Sequence, residues 1–268
     1  MMEEKNAGNQ SLVRGLRLLD LLSNFPNGCP LAKLTEMAQL NKSTVHRLLQ
    51  GLQSEGFVQP AISTGSYRLT TKCLSLGQKT LSSLNIINIA SPYLEKLNLT
   101  LGETVNFSKR EGDYGIMIYK LEPTTGMMKT RAYIGQHLEL YCSAMGKLYL
   151  AYERDNTYLA NYWENHQSTI RSLTHNTITS QQLMAQELNE IRQTGFAMDR
   201  EENELGVGCI ACPVFSLNNK VEYAISVSSS IHRLKQIGIQ NILAEIRLAA
   251  KKISKELGGK FQEEQILD

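Results

Sequence analysis

Between residues 31 and 56 two short apolar-periodic segments are separated by only three residues, Gln39-Leu40-Asn41. In the first, Leu31, Leu34 and Ala38 are spaced for one helical face. The second, KSTVHRLLQGLQSEG, places Val45, Leu48, Leu49 and Leu52 on one face, with Asn41 as its N-cap and Gly56 at its C-terminal end. Two short helices joined by so tight a turn have the spacing of a helix-turn-helix. A third helix precedes them at Ser11–Ser23, with Leu12, Leu16, Leu19 and Leu22 near one face and Pro26-Asn27-Gly28 as the break after it. Phe57–Pro60 and Ser66–Leu69 follow as two short strands around Ser63-Thr64-Gly65.

Helix, helix, tight turn, helix and hairpin form the order of a winged helix-turn-helix. The helix after the tight turn fits a major groove about 12 Å wide with its N-terminal residues at the base edges. That end carries Lys42, Ser43, Thr44, His46, Arg47 and Gln50, all off the apolar face. Arg47 suits the two acceptors of guanine and Gln50 an adenine edge, while Ser43 and Thr44 can reach phosphate or a thymine methyl. Arg68 and the Thr64–Ser66 tip stand where a wing meets backbone or minor groove. Charge agrees with this division. Residues 1–80 hold nine Lys/Arg against five Asp/Glu, whereas the rest of the 268 residues hold 19 against 21. A basic front joined to a slightly acidic body reads as a polyanion-binding module attached to something else.

Beyond the wing, Leu69–Leu101 reads as a long helical stretch interrupted near Pro92. Leu74, Leu81, Leu84 and Ile87 supply a stripe for a linker and dimer helix, or for packing against the next domain. The remainder alternates strands and helices. Strands are expected at Thr104–Lys109, Gly115–Leu121, Met128–Ile134, Ala197–Asp199, Gly208–Phe215 and Glu222–Ser229. Helices are expected from Ser143, at Tyr158–His166, near Ser180–Gly195 and at Asn241–Leu257, with Lys260–Asp268 frayed. This is α+β with a mostly antiparallel sheet. The domains expected are a winged helix-turn-helix over 1–72, a linker helix over 73–91 and a second domain over 92–268.

Two motifs are weaker than they look. Gly206-Val207-Gly208-Cys209-Ile210-Ala211 matches a dinucleotide fingerprint, but β-formers and Pro213 follow where a helix should begin. Cys209-x-x-Cys212, if extended, points its thiols to opposite faces, which suits no single metal. Asp199 directly follows Phe196-Ala197-Met198 and can point inward, and Ser226, Ser228 and Ser230 alternate along one strand. Beside Cys209 they could line a pocket for a small polar molecule, or form an exposed face of ordinary serines. No G-x-S-x-G elbow occurs and His137, His166, His175 and His232 are scattered, which leaves an enzyme as the lesser alternative. Uncharged runs reach about 15 residues, short of a membrane helix. With no basic-then-apolar leader and five scattered cysteines, the expectation is a cytoplasmic protein without a metal or cofactor.

Five runs, in order, carry a resemblance: SLVRGLRLLDLL, NKSTVHRLLQGL, the wing ending in YRLT, SAMGKLYLA and GFAMDREENELGVGCIACPVF. Together they resemble the IclR family of bacterial transcriptional regulators along nearly the whole chain. GSYRLTTK, SSLNII, YKLEPTTGM and RAYIGQH bring it closest to the branch that represses an operon for 2,3-diketo-L-gulonate utilisation. The resemblance implies a winged helix-turn-helix, a linker helix and a GAF-like effector domain with a six-stranded antiparallel sheet. It also implies dimers or tetramers on a pseudopalindromic operator. The effector residues it implies are Asp199, Cys209, Ser226 and Ser228, with loop positions Ala144 and Met145 and apolar wall positions Leu138 and Val207. Ala144 and the bulkier Met145 depart from the glycine and alanine of the glyoxylate-responsive member, so the ligand need not be the same. The function expected is a repressor whose DNA affinity depends on a sugar acid, with an activator as the alternative.

Overall fold

The computed structural model describes residues 9–63, 65–83, 85–124 and 130–261, and side chains outside 80–85. The chain divides into two compact units, Met1–Leu84 and Asn85–Asp268.

In the first unit, α1 (Gln10–Ser23) is followed by β1 (Cys29–Pro30), α2 (Leu31–Ala38) and α3 (Lys42–Ser54). The wing is β2 (Val58–Pro60) and β3 (Ser66–Leu69), and α4 (Thr71–Ser83) comes next. The two-residue β1 pairs with β3, so the wing sheet has the order β1-β3-β2 among the described residues. Periodicity could not reveal a strand that short. Leu18, Leu22, Leu34, Val45, Leu49 and Val58 bury almost completely against one another. Each such side chain contributes about 1.5–3 kcal/mol of hydrophobic transfer. On α1 the buried stripe is Gly15, Leu18 and Leu22, and the expected Leu12 and Leu16 are 58% and 52% exposed. Both stripes satisfy helical spacing, and only the approach of α2 and α3 selects between them. Leu74 is also exposed, and the side chains of Leu81 and Leu84 lie outside the described residues.

The second unit opens with α5 (Asn85–Leu101), which runs through Pro92 instead of breaking there. Ile86, Ala90, Leu94 and Leu97 are buried along α5, and that packing outweighs one missing backbone donor. Next come β4 (Thr104–Glu111), β5 (Tyr114–Leu121), β6 (His137–Glu139), α6 (Ala144–Ala151), α7 (Tyr158–Asn165) and α8 (Gln181–Thr194). The chain continues through β7 (Ala197–Arg200), β8 (Val207–Phe215), β9 (Val221–Ser230), α9 (Ile231–Ile237) and α10 (Ile239–Glu256). Among the described residues, six strands form one antiparallel sheet in the order β6-β5-β4-β9-β8-β7.

One expected strand is displaced. Of Met128–Ile134, residues 128 and 129 lie outside the described residues, and 130–134 is not a strand. Gly135, at φ 90°, turns the chain there, with Gln136 N donating to Tyr133 O. The edge strand therefore begins only at His137, beyond that turn. The frayed end expected beyond Lys260 falls almost wholly outside the described residues.

Strand alternation divides the large sheet into two faces. Val105, Phe107, Ile210, Cys212, Ile225 and Val227 form one fully buried apolar face. Thr104, Asn106, Ser108, Cys209, Ser226 and Ser228 alternate with them and face the other way, toward α6. That second face is polar and nonetheless buried, which decides against an exposed face of ordinary serines.

Candidate functional site

Two groups of residues carry the chemistry, one in each unit. On α3 the Asn41 side chain accepts from Thr44 N at 2.9 Å, closing the N-terminus, and Ser43 Oγ donates to the same oxygen at 3.0 Å. Val45 and Leu49 anchor the helix from below and Leu48 and Leu52 are half-buried. Lys42, Ser43, His46, Arg47 and Gln50 are left exposed, and Thr44 partly so. No acidic residue occupies the first turn, so the positive end of the helix dipole and two cations share one surface. The tight turn is closed by Gln39 at φ 54°, a left-handed conformation unusual for a side chain of its size.

Arg68 belongs to β3, opposite Gln59, and not to the hairpin tip. With the Gln59 amide oxygen turned toward it, the guanidinium donates from Nε at 3.0 Å and Nη2 at 2.9 Å. That leaves the remaining N–H groups of Arg68 half-exposed on the wing. Thr64, expected at the tip, lies outside the described residues.

In the second unit, sheet register assembles the other group. Asp199 stands opposite Cys209, Cys209 opposite Ser228, and Ser228 opposite Thr104, so one row crosses four strands. The adjacent row is Ala197, Ala211, Ser226 and Asn106. Three alanines, at 197, 211 and 224, keep the face low enough for α6 to approach. Leu138, Ala144, Met145 and Cys209 belong to this same buried cluster, and Val207 shares the face of Cys209 two residues on. Five separate elements, β6, α6, β7, β8 and β9, thus bring together the positions that the resemblance implied.

The polar atoms are tied to one another. Asn106 Nδ2 donates to Ser226 Oγ at 3.2 Å and Ser228 Oγ at 2.9 Å, and Ser228 Oγ donates to Cys209 Sγ at 3.0 Å. Ser108 Oγ lies 2.7 Å from Tyr149 Oη and donates to Met145 Sδ at 3.2 Å. Asp199 Oδ1 accepts from Glu202 N at 2.7 Å and Asn203 N at 3.4 Å. Burial pushes the Asp199 carboxyl up to about 7, opposed by those backbone hydrogen bonds and reinforced by Glu202. Burial likewise drives the Cys209 thiol far up and the Cys142 thiol to about 12, so neither is a ready nucleophile.

Thr104, Asn106, Ser108 and Tyr149 escaped the sequence reading. The signal was present, because Thr104, Asn106 and Ser108 alternate with Val105 and Phe107 just as Ser226 and Ser228 alternate with Ile225 and Val227. The glycine-rich run folds as expected. Gly206, at φ 80°, turns into β8, with no helix to cradle a pyrophosphate. Cys209 and Cys212 face opposite sides of β8, and no group of metal-binding side chains occurs among the described residues.

Comparison with known proteins places this architecture. Residues 11–61 match the IclR helix-turn-helix domain and residues 78–255 the bacterial transcriptional regulator IclR C-terminal domain. The chain belongs to the IclR family of bacterial transcriptional regulators. It is 68% identical over 258 residues to an uncharacterized HTH-type transcriptional regulator of Haemophilus influenzae, covering 96% of each chain. It is 62% identical over 256 residues to the DNA-binding transcriptional repressor YiaJ of Escherichia coli (strain K12), covering 96% of this chain and 90% of that one. The crystal structure of the Thermotoga maritima IclR superposes with a TM-score of 0.70 at 26% identity, over 94% of this chain and all of that one. The IclR-type α+β fold expected from the sequence is the one observed, and the family's members are regulators and not enzymes. Among the described residues no helix is long and apolar enough to cross a membrane.

Proposed function

We propose that this IclR-family regulator is a repressor of a sugar-acid catabolic operon, released or retained on its operator by a small carboxylate. The observation that carries the reading is the buried polar face shared by Asp199, Cys209, Ser226 and Ser228 under α6. A regulator has no structural need for hydroxyls there, and they suit an oxygen-rich metabolite. The 62% identity to the repressor YiaJ supports repression over activation. Leu138, Ala144, Met145 and Val207 act as apolar walls that exclude water from the bound molecule.

Lys42, Ser43, Thr44, His46, Arg47 and Gln50 read the operator from α3, with Arg68 on the wing. Leu12, Val13 and Leu16 on α1 and Leu74 on α4, all exposed, support pairing of two chains through the N-terminal units. Paired chains present two α3 helices to half-sites about 34–36 Å apart, or multiples of that spacing. A dimer, or a tetramer built from two dimers, is the working assembly, and the protein acts in the cytoplasm. The effector works by linkage, shifting the population by no more than its differential affinity for the two arrangements.

Fluorescence anisotropy of the full-length protein on DNA from upstream of its own gene tests this at fixed salt, with random DNA as control. Specific binding altered by one member of a sugar-acid panel that includes 2,3-diketo-L-gulonate is the expected result. Indifference to the whole panel would remove the ligand class, and lack of preference over random DNA would remove the operator.

A further inference from the structure

The buried polar face contains a mismatch of donors and acceptors that one kind of ligand completes. Asn106 is 3% exposed and spends its amide N–H groups on Ser226 and Ser228. A serine that accepts from an amide must send its own hydrogen elsewhere. Ser228 sends it to Cys209 Sγ, whereas the Ser226 hydroxyl has no acceptor among the described residues. On the other side of the balance, Asn106 Oδ1 and Thr104 Oγ1 are shut off from solvent and have no hydrogen-bond partner. Sheet register sets Thr104 opposite Ser228 and Asn106 opposite Ser226, so all of these atoms belong to two adjacent rows.

Buried amide oxygens without partners are uncommon because the lost hydration is not recovered. A carboxylate has acceptors only. It can take the Ser226 hydrogen but can give nothing to Asn106 Oδ1, and a ketone is equally unable to do so. An alcohol hydroxyl supplies the missing donor. Nor does a cation answer the oxygen, since Lys147 is held by Glu187 and Glu202.

We propose that Asn106 determines the specificity of the pocket, its Oδ1 accepting from an alcohol hydroxyl of the effector while the Ser226 hydroxyl donates to the same ligand's carboxylate. This rests on the pocket reading above and adds to it the residue that selects a hydroxylated acid over a hydroxyl-free one.

Calorimetric titration of the full-length protein with D-gluconate, L-gulonate and 2,3-diketo-L-gulonate, against hexanoate and pyruvate, tests it. At least one hydroxylated acid is expected to bind about 100-fold or more tighter than both hydroxyl-free acids, because a buried group left unpaired penalises the analogue. Asn106→Val is expected to abolish that ratio; because it also takes the amide donor from Ser226 and Ser228, a cooperative unfolding transition is used to show that the variant folds. Equal affinities in the parent protein overturn the proposal and leave the pocket standing, as does a folded Asn106→Val variant that keeps the ratio. Binding of none of the five overturns the carboxylate pocket and this proposal with it. The parent comparison tests the hydroxyl requirement by itself, and Asn106→Ala takes the place of Asn106→Val, with the same expected loss of the ratio, should the latter not fold.

Discussion

The ammonium group of Lys147, fully buried on α6, stands 2.7 Å from Glu202 Oε1 and 2.8 Å from Glu187 Oε1. Glu202 belongs to the turn whose backbone N–H groups hold Asp199, so this ion pair joins the helix over the pocket to the turn beside it. Arg200 reaches Glu187 from the surface at 3.1 Å, completing the compensation of the two carboxylates by two cations. Burial raises the carboxyl of Glu187, but Lys147 and Arg200 outweigh it and hold the group below its usual range.

Lys147→Met leaves the buried Glu202 without its cation and Glu187 with Arg200 alone. Breaking a buried pair from one side costs about 3–5 kcal/mol. Urea denaturation should show that loss, and the triple variant with Glu187→Gln and Glu202→Gln should recover most of it. A loss below about 1 kcal/mol would mean water reaches the site.

Asp199 gives stability a pH dependence of definite sign. Its folded-state value near 7 lies above the unfolded value near 4, so the folded protein holds the extra proton between them. Its contribution is complete below about pH 4 and is lost as pH rises through 7. Asp199→Asn keeps an acceptor for Glu202 N and removes the ionisation. It should be stabilised relative to the parent at pH 8, on the order of 2–4 kcal/mol, with the gain shrinking toward pH 4. A pH-independent difference between the two would place the titration elsewhere.

Asn41→Ala removes the cap of α3 without touching its apolar face. The expected cost is about 1 kcal/mol in unfolding free energy, with weaker operator binding because the helix start is less ordered. Asn41→Ser should restore most of it, which chemical denaturation of both variants would show.

Arg47→Ala should weaken operator binding by about 1–3 kcal/mol and relax preference at one base pair if the guanidinium grips a guanine. Anisotropy on single-base operator variants reads this directly. An equal loss on every sequence would make Arg47 a phosphate contact.

Gly146 has no room for a side chain. A Cβ there would stand 2.5 Å from Glu139 O and 2.6 Å from Leu140 Cα, both backbone. Gly146→Ala should therefore displace the start of α6, where Ala144 and Met145 lie. A fall in Tm of several degrees is expected from a cost of about 1–3 kcal/mol, measurable by calorimetry.

The helix-turn-helix was legible from local rules, because Asn41, the apolar spacing of Val45 and Leu49 and the terminal Gly56 act within a few residues of themselves. So were most strands of the second unit, since alternation and turn residues are local as well. The choice between Leu18 and Leu16 as the buried side of α1 was not, because both obey the helical period and only α2 and α3 choose. Pro92 misled for a related reason: its local penalty is real, but buried neighbours along α5 outweigh it.

For the pocket, the amino-acid order by itself determined which residues alternate on each strand, and thereby that Ser226 and Ser228 share a face. Only the tertiary structure decided that β4 lies between β5 and β9, which sets Asn106 against Ser226 although 120 residues separate them. Strand order and register arise from long-range pairing and from helices covering a sheet, and no local propensity encodes them. Burial of the serine face was decided at the same level. A polar strand face reads as solvated by its sequence alone, and only the packing of the whole unit shuts Asn106 Oδ1 off from solvent.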